Sequence, residues 1–294
     1  MIGEVAFIPR YRDMSIDFPY HLEINVLDER YPAHRHNYVE LSFVIEGRAR
    51  ESVGGRSREI RPGSMTLVLP HHIHEIEVLS EGPLRLYNLC IGLDVFLDDT
   101  RARELFQAIL YGWEYRNAFG LEVPEALQQR VTNTFEEMER EIREQLPWRR
   151  TRFYGLVIDL VVFFVRRCRV TGIPAEATRE SSATPSPDER IWDIVNYVYR
   201  HYRRDLHLSE IADRFAISVP YLSTRFKQAT GEPFVSFLNE LRVNHALGLL
   251  RHGEMSLTEI AYSCGYNSYS SFSRMFKKTH GASPQAIRAA PSQN

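Results

Sequence analysis

Cysteine is scarce. Cys90, Cys168 and Cys264 are the only three in 294 residues, and they lie far apart. That spacing gives neither a disulfide framework nor a zinc motif, and it suits a reducing cytosol. Long apolar runs are also missing. The longest, Leu156 to Val165, is interrupted by Asp159 and is too short to span a bilayer. The opening MIGEVAFIPRYRDM has no basic stretch followed by an apolar run, so neither a signal peptide nor a membrane partner is expected. Net charge is nearly absent, at −2. It is unevenly spread. From Asp188 onward 13 Lys+Arg face 10 Asp+Glu, which leaves 23 of 36 basic and 28 of 38 acidic residues for the rest. A mildly basic C-terminal part is compatible with phosphate contact, but charge alone does not point to DNA.

What is present is enough for two cores, with 44% apolar residues over a length that suits two domains. From 20 to 92 come short runs rich in Val, Ile, Leu and Phe: LEINVL, VELSFVIEG, SMTLVLP and LRLYNLCI. Gly54-Gly55, Pro62-Gly63 and Gly82-Pro83 punctuate them, as in a sandwich or barrel. The texture then turns helical. Pro124 to Leu146 carries Val131, Phe135, Met138 and Ile142 at three- and four-residue steps, Pro147 interrupts, and Arg149 to Val170 resumes. These two helices could close a flank of the barrel, form a dimer seam, or both. GIPAEATRESSATPSPDE follows and is the expected linker. The scheme is therefore a barrel over 1–110, a helical packing segment over 111–171, a linker over 172–189 and a helical domain over 190–294.

The last of these holds an internal repeat. Leu208, Glu210, Ile211 and Ala212 match Leu257, Glu259, Ile260 and Ala261; Leu222, Phe226, Lys227 and Gly231 match Phe272, Phe276, Lys277 and Gly281. The offset grows from 49 to 50, so the second copy has one more residue near its turn. Small residues where two helices cross, a tight turn and apolar spacers are what a helix-turn-helix needs. Ser218 can cap the second helix of the first copy, with Pro220 in its first turn. Between the copies, Pro233 to Arg251 is predicted to be one helix ending at Gly253. Such a rod is roughly 27 Å long. It could set two recognition helices about one DNA turn apart, roughly 34 Å.

Gly265, Tyr266, Ser271, Phe272, Arg274, Phe276, Lys277, Lys278, Gly281, Ser283, Pro284 and Arg288 form a pattern that resembles the AraC/XylS family of bacterial transcription regulators. The first copy departs from it at Ala216, where glycine is usual; a positive φ there would cost about 1 kcal/mol. The expected DNA face is Val219, Pro220, Ser223, Thr224 and Lys227 in one copy, and Tyr269, Ser270, Ser273, Arg274 and Lys277 in the other. Arg274 is the base-reading candidate, because arginine can bond guanine twice. Lys227, Lys277 and Arg242 are phosphate candidates. Phe226, Phe272 and Phe276 read as core.

In the first half, His34, His36, Glu40 and Gly47, then Pro62-Gly63, Pro70 and His74, resemble a loose form of the two cupin motifs. The fold class implied is multi-domain α+β: a cupin-like β-barrel with flanking helices, then an all-α double helix-turn-helix domain. In metal-binding cupins the matching positions hold one ion, and His34, His36, Glu40 and His74 would suit a divalent transition metal. On a straight strand residues 34 and 40 would stand about 20 Å apart, so a shared ion needs a bend. The sensor domains of the resembled family use the barrel mouth for an organic effector and require no cofactor. There His34, His36, Tyr38, Glu40, Ser42, His74, Tyr87 and Asn88 would wall a site for a small polar ligand, with carbohydrate favoured. The resemblance further implies double-stranded DNA, RNA polymerase and a second copy of the chain as partners, and activation in the cytoplasm. A constitutive DNA binder with a barrel used only for dimerisation stays open, as does a metal-dependent cupin enzyme, although an enzyme would not need the repeat.

Overall fold

The computed structural model describes residues 5–8, 14–15, 18–97, 100–116, 120–170, 187–252 and 255–289. Strands fill the first part: β1 (Ala6–Ile8), β2 (Tyr20–Leu27), β3 (Arg30–His36), β4 (Val39–Glu46), β5 (Ala49–Val53), β6 (Arg56–Ile60), β7 (Ser64–Val68), β8 (His74–Val78) and β9 (Leu84–Ile91). A short helix follows, α1 (Asp94–Leu97), then α2 (Thr100–Arg116), β10 (Gly120–Glu122), α3 (Glu125–Glu144) and α4 (Arg149–Val170). The remainder is helical: α5 (Pro187–His201), α6 (Leu208–Arg214), α7 (Val219–Thr230), α8 (Phe234–His252), α9 (Leu257–Ser263), α10 (Tyr269–His280) and α11 (Pro284–Ala289). No helix among the described residues is long and apolar enough to cross a membrane.

The chain forms two compact units. One joins Met1–Gly92 to Tyr115–Ala177; the other joins Leu93–Glu114 to Thr178–Gln293. Leu93–Glu114 thus groups with the C-terminal helices. The expected linker lies outside the described residues up to 186, and α5 already begins at Pro187. Gly253, the expected stop of the rod, also lies outside them; α8 runs to His252.

In the first unit two five-stranded sheets face each other, in the orders β1-β3-β8-β5-β6 and β10-β7-β4-β9-β2. Between them an apolar cluster of Val44, Ala49, Ile60, Ile76, Leu84 and Leu86 is contributed by both sheets. Strand alternation sets the rest. The side of β4 that carries Val44 also carries Glu40 and Ser42. The opposite side carries Val39, Leu41 and Phe43, all buried. There Phe135 of α3 stacks on Tyr87 at 4.7 Å and on Phe43 at 6.2 Å. Phe153 of α4 packs on Phe18 and Tyr20. So α3 and α4 close a flank of the barrel.

In the second unit the two helix-turn-helix copies share their turn wiring. Ala216 and Ile217 donate to the carbonyls of Asp213 and Ala212, as Gly265 and Tyr266 donate to those of Tyr262 and Ala261. Ser218 and Ser268 cap α7 and α10 through the amides of Tyr221 and Ser271. Both helices end on a left-handed glycine, Gly231 and Gly281. The extra residue falls in the second turn, which spans 264–268 against 215–218 in the first.

Both turns need the left-handed region: φ is +53° at Ala216 and +92° at Gly265. A Cβ at Gly265 would stand 2.8 Å from the Arg203 carbonyl oxygen, so glycine is required there twice over. Ala216 has the strain without the glycine. The variant Ala216→Gly is therefore expected to stabilise the C-terminal unit by about 0.5–1 kcal/mol, net of the unfolded chain's extra freedom. Slower amide exchange in α6 and α7 would report it; unchanged or faster exchange would mean that the turn carries no strain.

Candidate effector chamber and DNA-reading face

The bend that residues 34 and 40 require is a change of sheet. β3 and β4 belong to different sheets, and the chain crosses between them at Asn37 and Tyr38. His34 and His36 therefore face Glu40 across the barrel interior instead of lying six residues along one strand. β8 pairs with β3 and sets His74 directly beside His34. Three of the four expected metal ligands, His36, Glu40 and His74, bring ligand atoms within 4.8 Å of one another. His36 Nε2 lies 3.5 Å from Glu40 Oε2, and His74 Nε2 lies 3.7 Å from Glu40 Oε1. His34 is outside this trio but borders it, its ring centroid 4.0 Å from that of His74.

The imidazoles are oriented alike. Nδ1 of His34, His36 and His74 donates to the carbonyls of Pro32, Tyr38 and His72 at 2.9, 2.9 and 3.1 Å. A carbonyl can only accept, so each Nδ1 bears the proton and each Nε2 keeps its lone pair. Burial holds these rings neutral. It lowers His34 and His74 to about 4, helped at His34 by His74, and lowers His36 well below the usual imidazole value. Burial likewise raises Glu40 to about 7, opposed by His34 and by a hydrogen bond from Asn88.

Other expected wall residues divide. Ser42 and Asn88 are register partners on the inner side, next to Glu40. Tyr38 stands behind the trio, its ring stacked on His36 at 4.0 Å. Tyr87 faces the other way, onto Phe135, because odd positions of β9 point to α3; the expectation that it walls the chamber is corrected. Sequence reading missed Glu51, which is 2% exposed. It shares the inward parity of Ala49 and Val53, and that alternation was its signal. Thr66 Oγ1 donates to Glu51 Oε2 at 2.6 Å, and Arg58 Nη2 donates to Thr66 Oγ1 at 2.6 Å. Burial raises the Glu51 carboxyl above its usual range, while Arg58 opposes this.

In the helical unit Leu222, Phe226, Phe272 and Phe276 are fully buried, as expected of core. Val219, Pro220, Ser223, Thr224 and Lys227 are exposed on α7; Ser270, Arg274 and Lys277 are exposed on α10, with Tyr269 and Ser273 half-buried. Arg242 is committed elsewhere. Its Nε and Nη2 donate to the carbonyls of Tyr202 and Arg204 at 2.9 and 2.7 Å, and its guanidinium lies over the Tyr266 ring. It clamps α8 to the α5–α6 connection in place of the phosphate contact expected of it.

Comparison with known proteins agrees with both halves. Residues 20–150 match the family described as an AraC-like ligand binding domain, and residues 211–290 match a helix-turn-helix domain. The chain belongs to the AraC/XylS family of transcription regulators. It is a ligand-responsive DNA-binding regulator, with the ligand-binding half first and the DNA-binding half second. It is 26% identical over 268 residues to the HTH-type transcriptional activator RhaS of Escherichia coli, covering 88% of this chain and 87% of that one. Among solved structures, the C-terminal domain of AraT, a response regulator from Geobacillus stearothermophilus, is 33% identical over 34% of this chain and 84% of its own, with a TM-score of 0.34. ToxT from Vibrio cholerae is 13% identical over 92% of this chain and 99% of its own, with a TM-score of 0.37.

Proposed function

We propose that this regulator activates transcription by reading two adjacent major-groove segments per subunit, through α7 and α10, under control of a small polar effector held in the barrel. The observation that carries the DNA-reading part is the identical wiring of the two turns: each buries its phenylalanine pair or equivalent and leaves the same helix face to solvent. The barrel part rests on the inward polar set of His36, Glu40, Ser42, Glu51, His74 and Asn88, nearly all buried, above an apolar floor. Hydroxyl-rich ligands suit such a mixture of donors and acceptors, so a carbohydrate is the favoured effector. Likeness to a transcriptional activator supports the sign of regulation. The chain would act in the cytoplasm as a homodimer that engages RNA polymerase, with no catalytic step. The effector must bind the DNA-competent arrangement more tightly than the other, or it switches nothing.

Arg274 offers the direct test. It is exposed on α10, one turn before Lys277. Arg274→Ala is expected to weaken specific binding by about 1–3 kcal/mol, roughly 5- to 150-fold, and to relax base preference at one position. Lys277→Ala should weaken all sequences alike and reduce the salt slope by about 1. Binding isotherms on the wild-type operator and on a library of single-base variants separate the two. Equal losses on every sequence for Arg274→Ala would remove it from base reading.

A further inference from the structure

We propose that α7 reads its major-groove segment through thymine methyl groups, with Thr224 at the centre of the contact, whereas α10 reads guanine through Arg274. The proposal deepens the two-segment reading above and rests on it. Register is the first support. α7 and α10 align residue for residue: Ser218 and Ser268 cap them, Leu222 and Phe226 are buried as Phe272 and Phe276 are, and Gly231 and Gly281 end them. This frame sets Thr224 against Arg274, Pro220 against Ser270 and Tyr221 against Ser271, and all six are exposed. Where α10 offers an arginine and two serines to the groove, α7 offers mostly carbon.

The second support is the work that the polar atoms of α7 already do. Thr224 Oγ1 donates to the Pro220 carbonyl at 3.0 Å, so its one hydrogen is taken. What this exposed residue has left is an acceptor oxygen and a methyl group. Gln228 is the only amide side chain on α7, and its Oε1 accepts from Arg225 Nη1 at 3.1 Å. That splits the oxygen and NH2 pair with which an amide bonds adenine twice. Pro220 has no amide hydrogen to give. Val219 and Tyr221, at 40% and 43% exposure, complete an apolar start to the helix. The major-groove edge of DNA carries one apolar group, the thymine 5-methyl; guanine, adenine and unmodified cytosine present none. An A·T-rich segment is therefore expected under α7, and a guanine under α10.

Operators would be selected from a random duplex library with the full-length protein, and each thymine then replaced singly by deoxyuridine, which removes the methyl and keeps the pairing. A loss of about three- to fourfold is expected at neighbouring thymines, the factor that one buried methyl group contributes. Thr224→Ser keeps the hydroxyl and drops the methyl. It should weaken the parent operator by a similar factor and leave one of those thymines indifferent to the exchange. Thr224→Val drops the hydroxyl and keeps a methyl, so affinity and sensitivity should both persist. Position 224 is exposed, and neither variant touches the core. Affinity lost in Thr224→Val would assign the contact to the hydroxyl and overturn the proposal. Full affinity for every uracil-containing operator would also overturn it, as would sensitivity that Thr224→Ser leaves in place at every thymine. A library that returns no preferred sequence would instead remove the two-segment reading itself.

Discussion

Phe272→Ala is expected to destabilise the C-terminal helices by about 3–5 kcal/mol, the usual cost of emptying a buried phenylalanine site. Phe272 is fully buried on α10 and packs against Tyr266 and Phe276, with ring centroids 5.5 Å away in each case. Those neighbours come from the turn and from the next turn of the same helix, so they cannot collapse into the void without moving the helix. The loss falls on the element that carries Arg274, and DNA affinity should fall with it. Amide exchange of the intact protein is the measurement. Protection in 269–280 should drop by roughly two to four orders of magnitude, while that of the barrel strands stays put. Ser270→Ala, two residues away on the exposed face of the same helix, should change stability by less than about 0.5 kcal/mol. Equal effects from the two substitutions would mean that α10 is not anchored through its phenylalanines.

Acidification should loosen the same unit through His245. This ring is buried in α8, and its Nε2 accepts from Arg103 Nη2 at 3.2 Å. Burial, then Arg103 and Arg203, lower its pKa to about 3. Protonation would put a second cation against the guanidinium and remove the acceptor. The folded value lies below the unfolded one, so the stabilisation is complete above about pH 6.5 and is lost as pH falls toward 3. By pH 4.5 the cost is about 3 kcal/mol, taken as two units at about 1.4 kcal/mol each. His245→Gln keeps an acceptor for Arg103 without a titration. Denaturant unfolding of both proteins from pH 7.5 to 4.5 should therefore show curves that converge as pH falls. Parallel curves would show that His245 is not held neutral.

How far the residues announced this arrangement depends on which sheet is considered. The runs LEINVL, VELSFVIEG, SMTLVLP and LRLYNLCI became β2, β4, β7 and β9, all in one sheet. That sheet is covered by α3 and α4 on one side and by the barrel interior on the other, so its strands are nearly continuous apolar sequence. β3, β5, β6 and β8 read RYPAHRH, ARESV, RSREI and HEIEV. One side of their sheet meets solvent and pairs arginine with glutamate across strands, as in Arg30–Glu75 and Arg50–Glu77. The other side holds the chamber's histidines and Glu51. Polar residues on both faces hide a strand from any apolar count. Tyr87 and Arg242 were misjudged for the complementary reason: a polar tip on an amphipathic side chain does not say which way the body packs. The helix-turn-helix copies were legible because every constraint there is local: caps, turn and spacer phenylalanines fall within one stretch of chain.

The crossing at Asn37–Tyr38 bears on how such a chamber can change over generations. Its chemistry is distributed by parity on either side of one corner. A point substitution at 34, 36 or 40 alters a single donor and leaves the others in place. One residue inserted between Tyr38 and Val39 would do something different: it would turn Val39, Leu41 and Phe43 inward and send Glu40 and Ser42 toward Phe135. Ligand preference in this barrel is free to drift by replacement, whereas the length of that corner is frozen.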